Sequence, residues 1–171
     1  MKKTLVLIAF LAFLMTAWPN VARAQGGFQD VTATAGPSAM PGSFDVEKMP
    51  LAVQKPNSAV LKNAQGTVVV GLLDTTKSSA RIRRKYSGMI VAQTRVSIGG
   101  ISLAAGSYGF GLWAPAPPST DNGRLTIYTK DGDEVGECPA KRGGSPKPLT
   151  VTTGKGGAIK LTFFGYSVDV Q

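Results

Sequence analysis

From Leu51 onward, large apolar residues alternate with polar ones at intervals of two, and glycine or proline often interrupts the pattern. A period of two is the spacing of a strand that buries one face. No window of ten or more residues in this part holds a sustained period of 3.6. The pattern predicts an all-β domain over residues 51–171. We expect an antiparallel β-sandwich of about eight short strands, immunoglobulin-like or jelly-roll-like, with an open β-barrel as the alternative.

Turn signals separate the predicted strands. Ten candidate segments, from which about eight strands are expected, cover residues 59–62, 67–73, 80–86, 93–98, 101–103, 107–113, 124–129, 135–138, 149–152 and 158–170. The dipeptides Gly99-Gly100 and Asp131-Gly132 accept positive φ, and each predicts a hairpin turn. In the last segment the apolar phase slips at Phe164-Gly165, which predicts a glycine bulge within one strand.

The most patterned stretch is ISLAAGSYGFGLWAPAPP, residues 101–118. On a strand, one face carries Tyr108, Phe110 and Leu112. The opposite face carries Gly109, Gly111 and Trp113. Because the three large residues point inward, the two glycines lie on the opposite face. Their lack of side chains predicts that a strand, a loop or a ligand approaches that face closely. Trp113 is expected to cap the core, with a flat aromatic platform as the alternative.

The chain begins with Met1-Lys2-Lys3, a short apolar run and a small-x-small ending at Ala22 and Ala24. This is the pattern of a secretory signal peptide over residues 1–24, cleaved between Ala24 and Gln25. The run is shorter than a membrane span, so no transmembrane anchor is expected after cleavage. The sequence therefore predicts export to the periplasm or the extracellular space. Residues 25–50, rich in glycine, proline and alanine, are expected to form a flexible lead.

Composition argues against most familiar catalytic sites. The chain has no histidine and one cysteine, Cys138. These counts exclude Ser-His-Asp and Cys-His nucleophile systems, and they leave no histidine for a zinc site. The acidic loop KDGDEVGE, residues 130–137, lacks the spacing of a calcium loop, so no metal and no cofactor is expected. Cys138, next to a proline in a strand-like stretch, is expected to be buried.

The net charge of the chain is +9, and part of it is concentrated in ARIRRKYSG, residues 80–88. On a strand, Arg81, Arg83 and Lys85 would form one basic row, with Arg84 beside it and Tyr86 available for stacking. Such a row suits an anionic cell-envelope polymer or glycan. The competing interpretation is a solvated basic strand that protects a sheet edge. Nucleic acid is not expected, because no nucleic-acid-binding module is present.

The segment TRVSIGGISLAAGSYGFGLWAPA, residues 94–116, resembles part of a family of exported bacterial β-sandwich proteins of unknown function. That family has a strand, a hairpin, an L-P-A-G-T-Y turn and a further strand. The matching residues are Leu103, Ala105, Gly106 and Tyr108, with Ala104 in place of the proline and Ser107 in place of the threonine. The family's W-R-x-G-A-N run has no counterpart here. The resemblance implies an exported β-sandwich and assigns no catalytic residue.

Together these features predict an exported, non-catalytic binding or structural module that contacts an anionic polymer or glycan through its basic strand. Two alternatives remain open at this point. One is a subunit of a surface assembly that binds another protein by strand addition. The other is an enzyme that uses carboxylate, tyrosine or lysine side chains in a cleft of the sandwich.

Overall fold

The computed structural model describes residues 27–154 and 157–171, which form an all-β fold with short helices. All strand pairs in this part of the chain are antiparallel, which confirms the predicted fold class. The predicted signal peptide and its cleavage site at Ala24 and Gln25 lie outside the described residues.

Thirteen strands and three short helical segments make up the described part of the chain. The strands are β1 (Gln29–Asp30), β2 (Ser43–Val46), β3 (Met49–Lys62), β4 (Thr67–Asp74), β5 (Gly88–Ala92), β6 (Val96–Ile98), β7 (Ile101–Leu103), β8 (Gly106–Trp113), β9 (Gly123–Thr129), β10 (Glu134–Arg142), β11 (Thr150–Thr153), β12 (Ile159–Phe163) and β13 (Tyr166–Val170). The helices are α1 (Thr32–Ala35), a 3-10 turn (Pro37–Ala39) and α2 (Ala80–Lys85).

The strands follow the order β1-β3-β4-β5-β8-β9-β10-β13-β12-β11, with β2 beside β3 and the β6–β7 hairpin beside β13. The sheet folds over at β10. Most of β10 pairs with β9, whereas its end, at Lys141 and Arg142, pairs with β13. The first layer therefore runs from β1 to β10, and the second layer contains β13, β12, β11 and the β6–β7 hairpin. Because β1 and β11 at the two ends are not paired with each other, the sheet is open and the barrel alternative is wrong.

The main hydrophobic core lies between the two layers. Phe110 on β8 packs against Phe163 on β12, with ring centroids 4.9 Å apart. Both side chains are buried, and burying a side chain of this size contributes about 1.5–3 kcal/mol. The inward positions of β8 thus pack as the alternation predicted.

Cys138 lies in this core, which confirms its predicted burial. Burial, and secondarily the charge of Glu137, raises the pKa of the Cys138 thiol. Because the thiolate is the reactive form, we expect 5,5′-dithiobis(2-nitrobenzoate) at pH 8 to modify the native protein at least about a hundredfold more slowly than the protein in denaturant. Equal rates in the two conditions would contradict this burial.

A second core covers the outer face of the first layer. It joins Val69 and Met89 of the sheet to Phe44 and Val46 of β2 and to Ile82 of α2. The β2–β3 hairpin and α2 therefore form a partial third layer on this face.

This second core corrects the predicted flexible lead. Residues 27–50 contain β1, α1, the 3-10 turn, β2 and the start of β3, and Phe28 and Phe44 are buried in different cores. The structure thus places ordered elements where composition predicted a tether. A four-residue strand such as β2 carries only two inward residues, too few to establish a period among the surrounding glycines and prolines.

The basic segment is a helix rather than the predicted strand. In α2 the Ser79 hydroxyl accepts a hydrogen bond from the Ile82 backbone N–H, which is an N-terminal cap. Ile82 and Tyr86, four residues apart, carry the buried side chains of this segment. Residues i and i+4 lie on the same face of a helix, so this pair fits a single helical turn. The alternation of Ala80 and Ile82 with arginines had instead indicated a strand.

The predicted turns are partly confirmed. Gly99, Gly100 and Gly132 have φ values of 58°, 88° and 98° in the hairpin turns where positive φ was predicted. The final segment differs, because Phe164 and Gly165, with φ of 50° and 87°, form a two-residue turn between β12 and β13. The segment is therefore a tight hairpin and not one long strand with a bulge. The hairpin places the apolar residues of β12 and those of β13 in the same core.

Candidate ligand-binding face

The glycine face of β8 is covered by the end of α2. A Cβ atom built on Gly111 would overlap the carbonyl oxygen of Lys85. A Cβ atom on Gly109 would lie 2.6 Å from the ring of Tyr86. The close approach that the sequence predicted is thus made by a helix, and the two glycines allow its backbone to lie directly on the sheet.

Glu47 anchors α2 from the turn between β2 and β3. Its Oε2 lies 2.5 Å from Nη2 of Arg81, and its Oε1 lies 2.9 Å from Nζ of Lys85. The Tyr86 hydroxyl donates a third hydrogen bond to Oε1 at 3.1 Å. The Glu47 backbone N–H donates to the carbonyl of Lys130 at 2.6 Å. Glu47 therefore ties the β2–β3 turn to α2 through its carboxylate and to the β9–β10 turn through its backbone N–H.

Hydrogen bonds explain the protonation state of Glu47. Those from Arg81 and then Lys85 lower its pKa from 4.5 to about 2; burial opposes them, and the weaker effect of the Tyr86 hydrogen bond adds to them. Burial, followed by the hydrogen bond to Glu47, raises the pKa of Tyr86. Lys85 Nζ also lies 4.8 Å from the ring centroid of Tyr128 and donates to the Gly132 carbonyl at 2.6 Å. At neutral pH Glu47 is therefore an ionised carboxylate and Tyr86 a neutral phenol.

The predicted basic residues therefore divide into two groups. Arg81 and Lys85 are engaged with Glu47, and Tyr86 is buried with 1% of its surface exposed. The expectation that Tyr86 is available for stacking is wrong, because its ring packs against Gly109 of β8. Arg83 and Arg84 are exposed, and the Arg83 guanidinium donates to the Ser78 carbonyl. Neither has a carboxylate within ion-pair distance among the described residues.

Trp113 is 54% exposed, so its expected role as a core cap is wrong. It pairs directly with Arg124 on β9, and the Arg124 guanidinium carbon lies 4.9 Å from the centroid of the Trp113 ring. Glu137 on β10 holds Arg124 from the other side, with 3.6 Å between Nη1 and Oε1. The strand register could have indicated this pair, but the sequence alone did not fix the register.

The structure places Trp113 and α2 on one side of β8. Gly111 and Trp113 are two residues apart on a strand, so both point to the same face, about 7 Å apart. The end of α2 covers that face at Gly111. We call the surface formed by Arg81, Arg83, Arg84, Trp113 and Arg124 the α2–Trp113 face. It unites two candidates that were separate in the sequence, and it adds Arg124, which sequence reasoning missed.

Three concavities lie elsewhere on the described surface. A cavity of about 390 Å³ is lined by Phe28, Asn63, Gln65, Arg95 and Ser102, among others. Another, of about 250 Å³, lies beside Lys141, Lys160 and Asp169. A third, of about 450 Å³, lies between the 3-10 turn and the outer face of β4 and β5. None of these three concavities is lined by the basic residues that the sequence singled out in α2.

Comparisons with protein-family models, with curated proteins and with solved structures find no match to this chain. The resemblance of residues 94–116 to a family of exported β-sandwich proteins therefore stays a prediction. Within residues 27–154 and 157–171, no helix combines the length and apolar character that a membrane crossing requires.

Proposed function

We propose that this chain is an exported, non-catalytic module that binds an anionic cell-envelope polymer through the α2–Trp113 face. The observation that supports it best is the pair of exposed arginines, Arg83 and Arg84, on a helix that Glu47 fixes to the sheet. Within the described residues no carboxylate pairs with either one. Export rests on the leader pattern of residues 1–24.

The chemistry of the face fits a polyanion. A guanidinium group is always charged and presents a planar fork of donors that matches carboxylate and phosphate oxygens. Because Glu47 holds α2 on the sheet, the backbone positions of these arginines are fixed before binding, which lowers the entropy cost of binding. Exposed ion pairs are individually weak and are screened by salt, so we expect useful affinity only from several contacts along a polymer.

The test uses the mature protein and immobilised polygalacturonate, a polycarboxylate. We expect Arg83→Gln with Arg84→Gln to weaken binding about threefold to tenfold at low salt, because two exposed ion pairs contribute about 1 kcal/mol together. Binding of the unaltered protein should fall steeply as sodium chloride rises.

The matched control is Lys55→Gln with Lys62→Gln, which removes the same charge from exposed positions on β3. This control should bind nearly as well as the unaltered protein. Equal losses in both double variants would mean that net charge alone drives retention. No retention of the unaltered protein on any polyanion at low salt would overturn the proposal.

A further inference from the structure

The exposed tryptophan beside the arginines indicates which kind of polyanion the face suits. Resting on the function proposed above, we infer that the ligand is an acidic polysaccharide and that Trp113 stacks against one of its sugar rings. Among the exposed large hydrophobic side chains of the described residues, Trp113 has the largest exposed fraction, 54% against 51% for Phe164, which lies in a turn. An exposed large apolar side chain is the informative exception on a protein surface.

The indole ring of Trp113 has a contact with a neighbouring side chain in the absence of any ligand. Arg124 stacks on it from the neighbouring strand, and Glu137 on the next strand holds Arg124. Trp113 itself ends β8, with its backbone paired to β9. Such a contact restricts the rotamers of the ring, so less side-chain entropy is lost when a ligand stacks on it, which favours a binding role.

One cation lies against the Trp113 ring, and the basic helix α2 lies on the same side of β8. Arg124 lies against it, and the end of α2 lies beside Gly111, the residue that precedes Trp113 on the same face. Because Gly111 has no side chain, nothing from β8 itself stands between the ring and the helix. A ligand lying on Trp113 would therefore meet the Arg124 guanidinium, and a polymer that continues along this face would reach the arginines of α2.

Acidic sugars combine the two features that this surface accepts. A pyranose ring has a C–H face that packs on an aromatic ring, and a uronate carries a carboxylate at its rim that a guanidinium binds. A polyanion without rings, such as a polyphosphate or a polyacrylate, would use the arginines and leave the tryptophan without a role. The presence of both groups on one face favours the polysaccharide.

The experiment compares two polycarboxylates by equilibrium binding at one ionic strength: polygalacturonate, which has sugar rings, and polyacrylate, which has none. We expect Trp113→Ala to weaken polygalacturonate binding about fivefold to tenfold and to leave polyacrylate binding within about twofold, because stacking on an aromatic ring contributes about 1–1.5 kcal/mol. Trp113→Phe should restore part of the lost affinity. Quenching of Trp113 fluorescence by polygalacturonate, measured with Trp18 removed by cleavage, should follow the same binding curve.

The outcomes separate this inference from the function on which it rests. If Trp113→Ala binds both polymers as the unaltered protein does, the inference is overturned, and polyanion binding through Arg83 and Arg84 still stands. Equal weakening on both polymers also overturns it, since the ring would then act through the fold or through Arg124. Failure of the unaltered protein to bind either polymer overturns the proposed function together with the inference.

Discussion

Replacing Gly111 with valine is expected to lower the free energy of unfolding by about 3 kcal/mol and to detach α2 from the sheet. A Cβ atom at this position overlaps the backbone carbonyl of Lys85, and a backbone atom cannot move aside without carrying the helix with it. Displacing the helix also strains the contacts of Lys85 and Arg81 with Glu47. Urea denaturation followed by circular dichroism measures the loss of stability.

Gly42→Val is the matched control for this substitution. Gly42 is exposed, and a Cβ atom there meets nothing within 4 Å. We expect it to change stability by less than about 0.5 kcal/mol. If Gly111→Val proves as stable as this control, α2 does not lie on the glycine face as the structure places it. Binding of polygalacturonate should fall with the first substitution only.

Much of the sheet could be predicted from the sequence, because a two-residue period records which face of a long strand is buried. In β9, Leu125 and Ile127 alternate with polar residues, and both are buried. The Gly99-Gly100 turn was equally visible, since few other residues adopt positive φ there. What the period could not supply was the fold of the sheet at β10, because that depends on pairing between segments far apart in the chain.

The sequence indicated several residues of the candidate site, but it did not indicate which of them lie together in the fold. The glycines of β8 indicated a close approach, but nothing local identified α2 as the element that makes it. Glu47 was missed because it lies in a segment whose composition indicated a flexible lead. Its importance comes from long-range partners, Arg81 and Lys85, which the sequence separates from it by more than 30 positions. Short helices and turns depend on such contacts more than on local propensity.

Replacing Glu47 with glutamine is expected to destabilise the protein by about 2 kcal/mol at pH 7, because it leaves two cations without the carboxylate that they share. Lys85 keeps its hydrogen bond to the Gly132 carbonyl, which limits the loss. Asp45→Asn is the control, since it removes a carboxylate from an exposed position two residues away that has no ion pair among the described residues. Denaturation of the three proteins gives the difference in unfolding free energy directly.

The pH dependence of the difference in unfolding free energy between the unaltered protein and Glu47→Gln shows whether the negative charge of Glu47 or its hydrogen-bond geometry stabilises the protein. The pKa of Glu47 in the folded protein, about 2, lies below its ordinary value of 4.5, so the folded state binds fewer protons than the unfolded state in this interval. The stabilisation from Glu47 is therefore fully present above pH 4.5 and is lost as the pH falls towards 2. The gap between the unaltered protein and Glu47→Gln should be constant from pH 7 to pH 5 and should shrink by pH 3. A gap of the same size at pH 3 and pH 7 would mean that hydrogen-bond geometry, and not the ionised carboxylate, holds α2 to the sheet.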